Sequence, residues 1–274
     1  GKLYIGNFNY PHYVFNGGTE NRVHLLIDAI GPMNLLFDAD SLIYASCFNS
    51  EGDDKYLSLD DAFTKFQYGL DSLHAKISEQ VEIERFIVCN GSKGNFRKDI
   101  SKEYKANRTS ERPPILGELH DKVKQRYKSH YGVGVETDDV VATLWKRISD
   151  EKGVDSVIIA SIDKDYKQFP CWFYDCHYKR MTLSKISEQE ATLNFYSQMI
   201  IGDTADNVNY CKGYGKVYAR RLLEGVSSDF SANRRVYTLF KEIYDTEAKN
   251  KFIECRELLK LKTDCNDKIR VGRE

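Results

Sequence analysis

The stretch MNLLFDADSLI, residues 33–43, joins an apolar run to two acids and then to a helix pattern. Leu35–Phe37 are typical of a short buried strand, and Asp38 stands where that strand ends. Two later stretches carry a similar apolar strand, IERFIVC at residues 83–89 and VDSVIIASIDKDY at residues 154–166. Helix patterns separate these strands along the chain. The alternation predicts an α/β fold with a parallel sheet and helices on both of its faces.

Acidic residues gather at the predicted ends of these elements. Asp38 follows the first strand, and a DKD pair follows a later one. Because ligands bind beyond the carboxyl ends of parallel strands, we expect the acids to meet at one edge of the sheet. Eight carboxylates in one cleft repel one another without cations, and hard divalent cations prefer oxygen ligands. The predicted metal ligands are Asp38, Glu136, Asp138, Asp139, Asp163, Asp165, Asp203 and Asp206.

Three of these acids lie within four positions at the start of a helix, in the stretch GVETDDVVA at residues 134–142. One acid as N-cap and one in the first turn are ordinary, since a helix N-terminus carries unpaired N–H groups and partial positive charge. Three acids exceed what capping requires. The surplus negative charge at this helix start indicates a bound cation.

The composition limits the class of protein. The chain has 274 residues, of which 41% are hydrophobic and 30% charged, as in soluble globular proteins. No apolar run is long enough to span a bilayer, and seven scattered cysteines suit a reducing cytoplasm. Setting aside the eight predicted ligands changes the net charge from −1 to +7, which suits a phosphodiester substrate. We expect a cytoplasmic protein without a membrane partner.

The chain divides into three predicted parts. Residues 1–32 are turn-rich and end in Gly-Pro before Met33, so we predict a tag or an N-terminal extension. Residues 33–200 form the predicted α/β core. Residues 201–274 form a mostly helical region.

Residues 93–114 form a basic segment in which aromatic residues stand between basic ones. Such interleaving suits single-stranded nucleic acid, because bases stack on the aromatics and phosphates pair with the cations. The alternative is a solvated charged loop, since acids are also present. The polarity predicts a segment that does not pack by itself. Its predicted DNA contacts are Lys93, Arg97 and Lys102.

The stretch CKGYGKVYARRLL, residues 211–223, predicts a tight glycine turn before a helix, with Gly215 at a positive φ. Backbone N–H groups at such a turn hold a phosphate without reading base sequence. The predicted DNA contacts are Gly213, Gly215, Lys216 and Arg220.

In their order along residues 33–225, these motifs resemble the flap endonuclease/5′–3′ exonuclease family, particularly its bacteriophage members. The motifs are LLFDADSLI, YKANR, GVETDDVVA, IIASIDKDYKQF, IGDTADNV and KGYGKVYARRLL. The resemblance implies a PIN-like nuclease core with an arch at residues 93–114 and a helix-hairpin-helix region that grips duplex DNA. One departure is Asn90, which stands where many members carry an Asp ligand.

The resemblance also implies the chemistry. Mg²⁺ or Mn²⁺ would occupy two sites, K⁺ would stabilise the hairpin, and Lys105 and Arg108 would act on the scissile phosphate. The implied activity is structure-specific 5′ nuclease action on DNA with 5′ ends or flaps, and on RNA–DNA hybrids, during phage DNA replication. We expect a monomer in the host cytoplasm, and the sequence names no replication partner.

Two other functions stay open at this point. LLFDADSL resembles the D-x-D strand of haloacid-dehalogenase-type phosphatases, with Asp38 as nucleophile, but the remaining acids and the glycine turn would then lack a role. The second alternative is a DNA-binding relative that has lost catalysis.

Overall fold

The structure, a computed structural model, describes residues 31–50 and 54–272. The predicted extension lies almost wholly outside this part of the chain. The described residues form a seven-stranded sheet. Its strands are β1 (Met33–Asp38), β2 (Ile83–Cys89), β3 (His130–Gly132), β4 (Val157–Ser161), β5 (Cys171–Asp175), β6 (Thr182–Ile186) and β7 (Ile269–Val271).

Some helices pack on the sheet, and others form a helical region beside it. They are α1 (Asp40–Ser46), α2 (Leu59–Ser78), α3 (Arg97–Ile100), α4 (Leu116–Tyr127), α5 (Thr137–Lys152), α6 (Glu188–Ile201), α7 (Lys216–Leu222), α8 (Asp229–Tyr244) and α9 (Ala248–Leu259). A 3-10 turn, Lys164–Gln168, follows β4.

Strand β1 lies at the centre of the sheet, whose order is β6-β5-β4-β1-β2-β3-β7. It pairs in parallel with β2 and β4, while β6 and β7 are antiparallel at the two edges. The predicted α/β fold with a parallel sheet is confirmed. Because parallel strands end at the same side, the segments after β1, β2 and β4 share one edge of the sheet.

The apolar run of β1 is buried on both faces. Leu36 packs in the core that α5 covers, whereas Leu35 and Phe37 pack in the core that α2 covers. This double burial explains why the strand is continuously apolar rather than alternating.

The chain from α6 to α9 is helical, as predicted, and packs around a separate core that includes Met199 and Phe240. The final residues differ from the prediction, because Ile269–Val271 return to the main sheet and pair with β3. The stretch 201–274 therefore contributes one strand to the core. Within the described residues, no helix has the length and apolar character that a membrane crossing requires.

Candidate metal centre

Asp38 lies at the carboxyl end of β1, beside the end of β4. Phe37 pairs with Ala160 in parallel register, so the residues after β4 lie next to Asp38. The Asp38 carboxylate accepts hydrogen bonds from the Tyr166 hydroxyl at 2.9 Å and from the backbone of Asp40 at 3.2 Å. Tyr166, which the sequence analysis did not single out, therefore orients the first predicted ligand.

Asp163 and Asp165 follow β4 in a tight turn. The Asp163 carboxylate caps the 3-10 turn by accepting a hydrogen bond from the Asp165 backbone at 2.9 Å. Asp163 is exposed and Asp165 is half-buried. The two carboxylates therefore lie on the solvent-accessible side of the sheet edge.

Asp203 and Asp206 lie in the loop after α6. Asp203 is buried, and its Oδ1 accepts hydrogen bonds from the backbones of Ala205 at 2.8 Å and Asp206 at 3.2 Å. Paired backbone bonds between Asp203 and Val208 close this loop. The closed loop fixes Asp206 relative to Asp203.

Glu136 is the N-cap residue of α5 and forms a capping box with Asp139. Its Oε2 accepts hydrogen bonds from the Tyr104 hydroxyl at 2.9 Å and from Arg97 at 3.1 Å. Its Oε1 pairs with the Lys105 ammonium. Glu136 and Asp139 therefore cap the helix and, in addition, form ion pairs with basic side chains.

Tyr104 joins two predicted ligands that are 70 residues apart in the sequence numbering. Its hydroxyl lies 2.9 Å from Glu136 Oε2 and 2.8 Å from Asp206 Oδ2. A hydroxyl donates only one proton, so it satisfies only one of these oxygens. The arrangement therefore favours a further proton or cation between the two acids.

Burial, together with the repulsion between neighbouring acids, raises the pKa values of several of these carboxyl groups. Burial, followed by the charges of Asp40 and then Asp163, raises the pKa of Asp38 to about 7. Burial and then the charge of Asp163 raise the pKa of Asp165 to about 7 as well. The pKa of Asp138 rises through burial and its acidic neighbours. The acids from separate elements are therefore close enough to repel one another.

This donor set fits hard divalent cations, since it consists of carboxylate oxygens that a positive charge would stabilise. In residues 31–50 and 54–272, however, no three acidic, His or Cys side chains already surround a common point. Lys105 and Arg108 explain part of this, because they pair with Glu136 and Asp206. Binding of a divalent ion would require those two carboxylates to exchange partners.

Two predicted roles are corrected by burial. Asp139 was predicted as a metal ligand, but it is fully buried and both of its oxygens bind Arg97 at 2.7 Å. Arg97 was predicted to contact DNA, but only 1% of the residue is exposed. A side chain sealed in the interior cannot reach a phosphate, so these two residues belong to the support of the site.

The basic segment packs more closely than its polarity predicted. Tyr104 is buried in the core of the helical region. The backbone of Lys105 donates to Asp206 O at 2.9 Å, and Asn107 donates to Thr204 O at 2.7 Å. Arg108 reaches Asp206 at 3.0 Å. Residues 104–108 therefore lie against the loop that follows α6, and the prediction of an unpacked segment was wrong for them.

The glycine turn before α7 has its positive φ at Gly213, with φ of +88°, whereas Gly215 has an ordinary φ of −102°. The positive φ predicted for Gly215 was therefore wrong. The helix begins at Lys216 as predicted. The predicted DNA contacts Lys93, Lys102, Lys216 and Arg220 are all exposed, as are both glycines. They are accessible to a ligand, unlike Arg97.

Asn90 follows β2 and is fully buried near the same sheet edge. Its amide Nδ2 donates to the backbone oxygen of His120 at 3.1 Å, while its Oδ1 has no hydrogen-bond partner in the described structure. A free buried carbonyl oxygen is compatible with a neutral ligand at the position where the resemblance implies an Asp.

In the absence of divalent ions, we expect the melting temperature to fall as the pH rises from about 4 to about 7. The folded pKa values of Asp38 and Asp165 lie near 7, above the ordinary value of 3.8, so the folded state binds more protons in this interval and loses stability as they dissociate. Mg²⁺ should oppose this loss, because carboxylates bind metal in the deprotonated form. Thermal unfolding in EDTA and in Mg²⁺ measures both effects. An Asp38→Asn variant should show a shallower decline, and a rising melting temperature in EDTA would contradict the crowded-acid description.

A family model and solved structures are similar to this chain. The sequence model described as 5′–3′ exonuclease, N-terminal resolvase-like domain, matches residues 33–191. Among curated proteins, none matches the chain.

Two solved structures are similar in fold. The T5 D15 protein co-crystallized with metal ions has a TM-score of 0.59 at 16% identity, covering 85% of this chain and 91% of that one. The bacteriophage T5 D15 flap endonuclease, in a pseudo-enzyme-product complex with DNA and metal ions, has a TM-score of 0.53 at 14% identity, covering 82% and 99%. These likenesses confirm the PIN-like fold.

Proposed function

The chain belongs to the 5′–3′ exonuclease family of structure-specific 5′ nucleases, and we propose that it hydrolyses DNA phosphodiesters by two-metal catalysis at the sheet edge. The observation that carries this proposal is the convergence of acids from four separate segments around the end of β1. Membership in this family removes the phosphatase alternative for Asp38, which left most of these acids without a role.

We assign the ligands by their positions. Asp38, Glu136 and Asp138 would hold one ion, and the acids after β4 and α6 would surround the other. That second set is Asp163, Asp165, Asp203 and Asp206. When bound there, two divalent ions would supply an activated water molecule and charge stabilisation for the leaving oxygen of an in-line displacement. Asp139 is left out of the ligand set because Arg97 occupies both of its oxygens.

Lys105 and Arg108 supply the cations nearest to the acids. Lys105 adopts a left-handed backbone with φ of +58°, and its side chain is only 14% exposed. Arg108 is 57% exposed and approaches Asp206 from the solvent side. In the proposed reaction these side chains leave the carboxylates and stabilise charge on the scissile phosphate.

The substrate is proposed to be DNA with a 5′ end or flap, with RNA–DNA hybrids as a related substrate. The exposed turn at Gly213–Lys216 and the cation Arg220 form the proposed duplex contact, with K⁺ at the turn. Similarity to a bacteriophage T5 protein that was crystallised with DNA and metal ions supports a role in phage DNA replication. We propose that the protein acts as a monomer in the host cytoplasm.

The test is a panel of labelled substrates incubated in Mg²⁺. Flapped, gapped, blunt and RNA–DNA duplexes of the same sequence are compared, and the cut sites are mapped. We expect cleavage within a few nucleotides of the 5′ junction and little action on an unstructured strand. Release of terminal phosphate alone would contradict the proposed reaction, and binding without cleavage would favour an inactive relative.

Replacing Gly213 with Val should weaken duplex binding, because a β-branched residue is strained at φ of +88°. Gly215→Val is the matched control. Gly215 has an ordinary φ, and a Cβ there would meet no atom within 4 Å. Fluorescence anisotropy with a duplex in Ca²⁺ compares the two affinities. A loss of affinity that is equal in both variants would show that the turn conformation does not matter for binding.

A further inference from the structure

Arg97 is the most completely enclosed cation in the described structure, and the proposed reaction does not use it. It opens α3, at the base of the basic segment, and only 1% of its surface is exposed. We propose that Arg97 is a positioning residue that holds Glu136 in the orientation required for metal binding. This inference rests on the proposed function, since it concerns a residue that we assign as a ligand.

All five N–H groups of the guanidinium have an acceptor. Nε donates to Leu258 O at 3.0 Å, and Nη2 donates to Lys260 O at 3.0 Å and to Asp139 Oδ1 at 2.7 Å. Nη1 donates to Asp139 Oδ2 at 2.7 Å and to Glu136 Oε2 at 3.1 Å. A guanidinium has five donors in a fixed planar fork, so this set leaves it no freedom to rotate.

Glu136 is held twice by the resulting ion pair. Its side-chain Oε2 accepts from Arg97, and its backbone N–H donates to Asp139 Oδ2 at 3.2 Å. Asp139 is fixed in turn, because its Oδ1 also accepts from the backbone of Lys262 at 2.8 Å. With Oε2 restrained by Arg97, Oε1 is the oxygen that pairs with Lys105, whose ammonium also lies 3.5 Å from Asp206 Oδ1.

The acceptors come from two distant parts of the chain. Glu136 and Asp139 lie at the start of α5, whereas the two carbonyls belong to the end of α9. The last carbonyls of a helix lack intrahelical partners, so Arg97 satisfies groups that burial would otherwise leave unpaired. One side chain thereby fixes the acidic helix, the basic segment and the helical region relative to one another.

A purely structural ion pair would also use all of its donors, because burial requires it, but it would not need the contact with Glu136. Buried pairs contribute little net stability, because desolvation offsets their attraction. Side chains that orient metal ligands, by contrast, commonly change metal affinity by about 10- to 100-fold when they are replaced. This difference separates the two roles experimentally.

The test measures Mn²⁺ affinity by calorimetry in the absence of DNA, together with kcat and KM on a flap substrate. Arg97→Lys keeps the charge but cannot reproduce the fork. We expect Mn²⁺ affinity to fall about 10-fold or more, and kcat to fall while KM for DNA changes little. The control is Arg256→Lys on α9, which removes an arginine that donates to the Tyr196 hydroxyl at 3.1 Å and has no bond to the acids. It should leave Mn²⁺ affinity unchanged.

A second variant guards against loss of folding. Arg97→Met combined with Asp139→Leu replaces the ion pair by apolar side chains, which such sites tolerate. If the double variant folds, its Mn²⁺ affinity should also be lower than that of the wild type, because Glu136 has lost its bonds to Arg97 and Asp139. Wild-type Mn²⁺ affinity in either folded Arg97 variant would overturn the positioning role. Failure of the wild-type protein to bind Mn²⁺ would instead overturn the proposed function.

Discussion

Replacing Asp163 with Asn is expected to lower the single-turnover rate of flap cleavage by about a thousandfold while DNA affinity changes little. A catalytic metal ion contributes several kcal/mol to the transition state, and about 4 kcal/mol corresponds to a thousandfold in rate. Asp163 is exposed at the end of β4, and its charge is felt by both Asp38 and Asp165. Asn keeps the shape and the oxygen that caps the 3-10 turn, so folding should survive.

The control for this variant is Asp150→Asn. Asp150 is an exposed acid on α5 that pairs with Lys146, four residues away. Asp150→Asn makes the same chemical change at a position away from the sheet edge, so the cleavage rate of this variant should match that of the wild type. If Asp163→Asn kept a tenth or more of the wild-type rate in saturating Mg²⁺, the assignment of a catalytic ion next to Asp163 would be wrong.

Replacing Lys105 with Ala is expected to lower turnover by about a hundredfold or more, as the loss of one preorganised charge donor does in other enzymes. DNA affinity should fall much less, because the contact matters most in the transition state. Lys105 lies between Glu136 and Asp206, with its ammonium 3.5 Å from the latter. Removing it also frees each of those carboxylates from one competing cation, so Mn²⁺ affinity should stay the same or increase.

The combination of slower turnover and undiminished metal binding distinguishes Lys105 from a structural residue. Lys102→Ala is the control, since Lys102 is exposed and lies three positions earlier in the same basic segment. It should affect affinity for DNA rather than turnover, and more so at low salt. Parallel losses of Mn²⁺ affinity and turnover in Lys105→Ala would contradict a role at the phosphate.

The sheet and its acidic edge were predictable because they rest on local patterns. The apolar run before Asp38 and the one before Asp163 predict parallel strands, and parallel strands bring their carboxyl ends together. The register between β1 and β4 confirms that these segments are adjacent. No knowledge of distant contacts was needed for that inference.

The role of Arg97 was not predictable in this way. In the sequence it is one of several basic residues in a polar segment, and its enclosure depends on α9, more than 160 residues away. The role of Asp139 was not predictable for the same reason. Whether an acid at a helix start is free to bind a metal ion depends on whether a buried partner already occupies it. The basic residues around Tyr104 in the sequence suggested that its ring stacks on bases. In the structure its hydroxyl lies between two acids.

The glycine turn shows a different limit. Two glycines two residues apart indicate a turn, but the sequence does not decide which one has positive φ, and the expectation of Gly215 was wrong. The structure assigns it to Gly213 and leaves Gly215 in an extended conformation. The direction of the chain before and after the turn decides this, and that direction depends on how α7 packs against α6.

The most direct test of the metal-dependent account is the Mg²⁺ dependence of the single-turnover rate on a 5′-flap substrate, measured from EDTA to saturation. Two cooperating ions predict a rate that is negligible in EDTA and that rises more steeply than the first power of Mg²⁺ concentration at low Mg²⁺. Cleavage that persists in EDTA, with the rate unaffected by added Mg²⁺, would contradict the assignment of the acidic sheet edge as the catalytic centre.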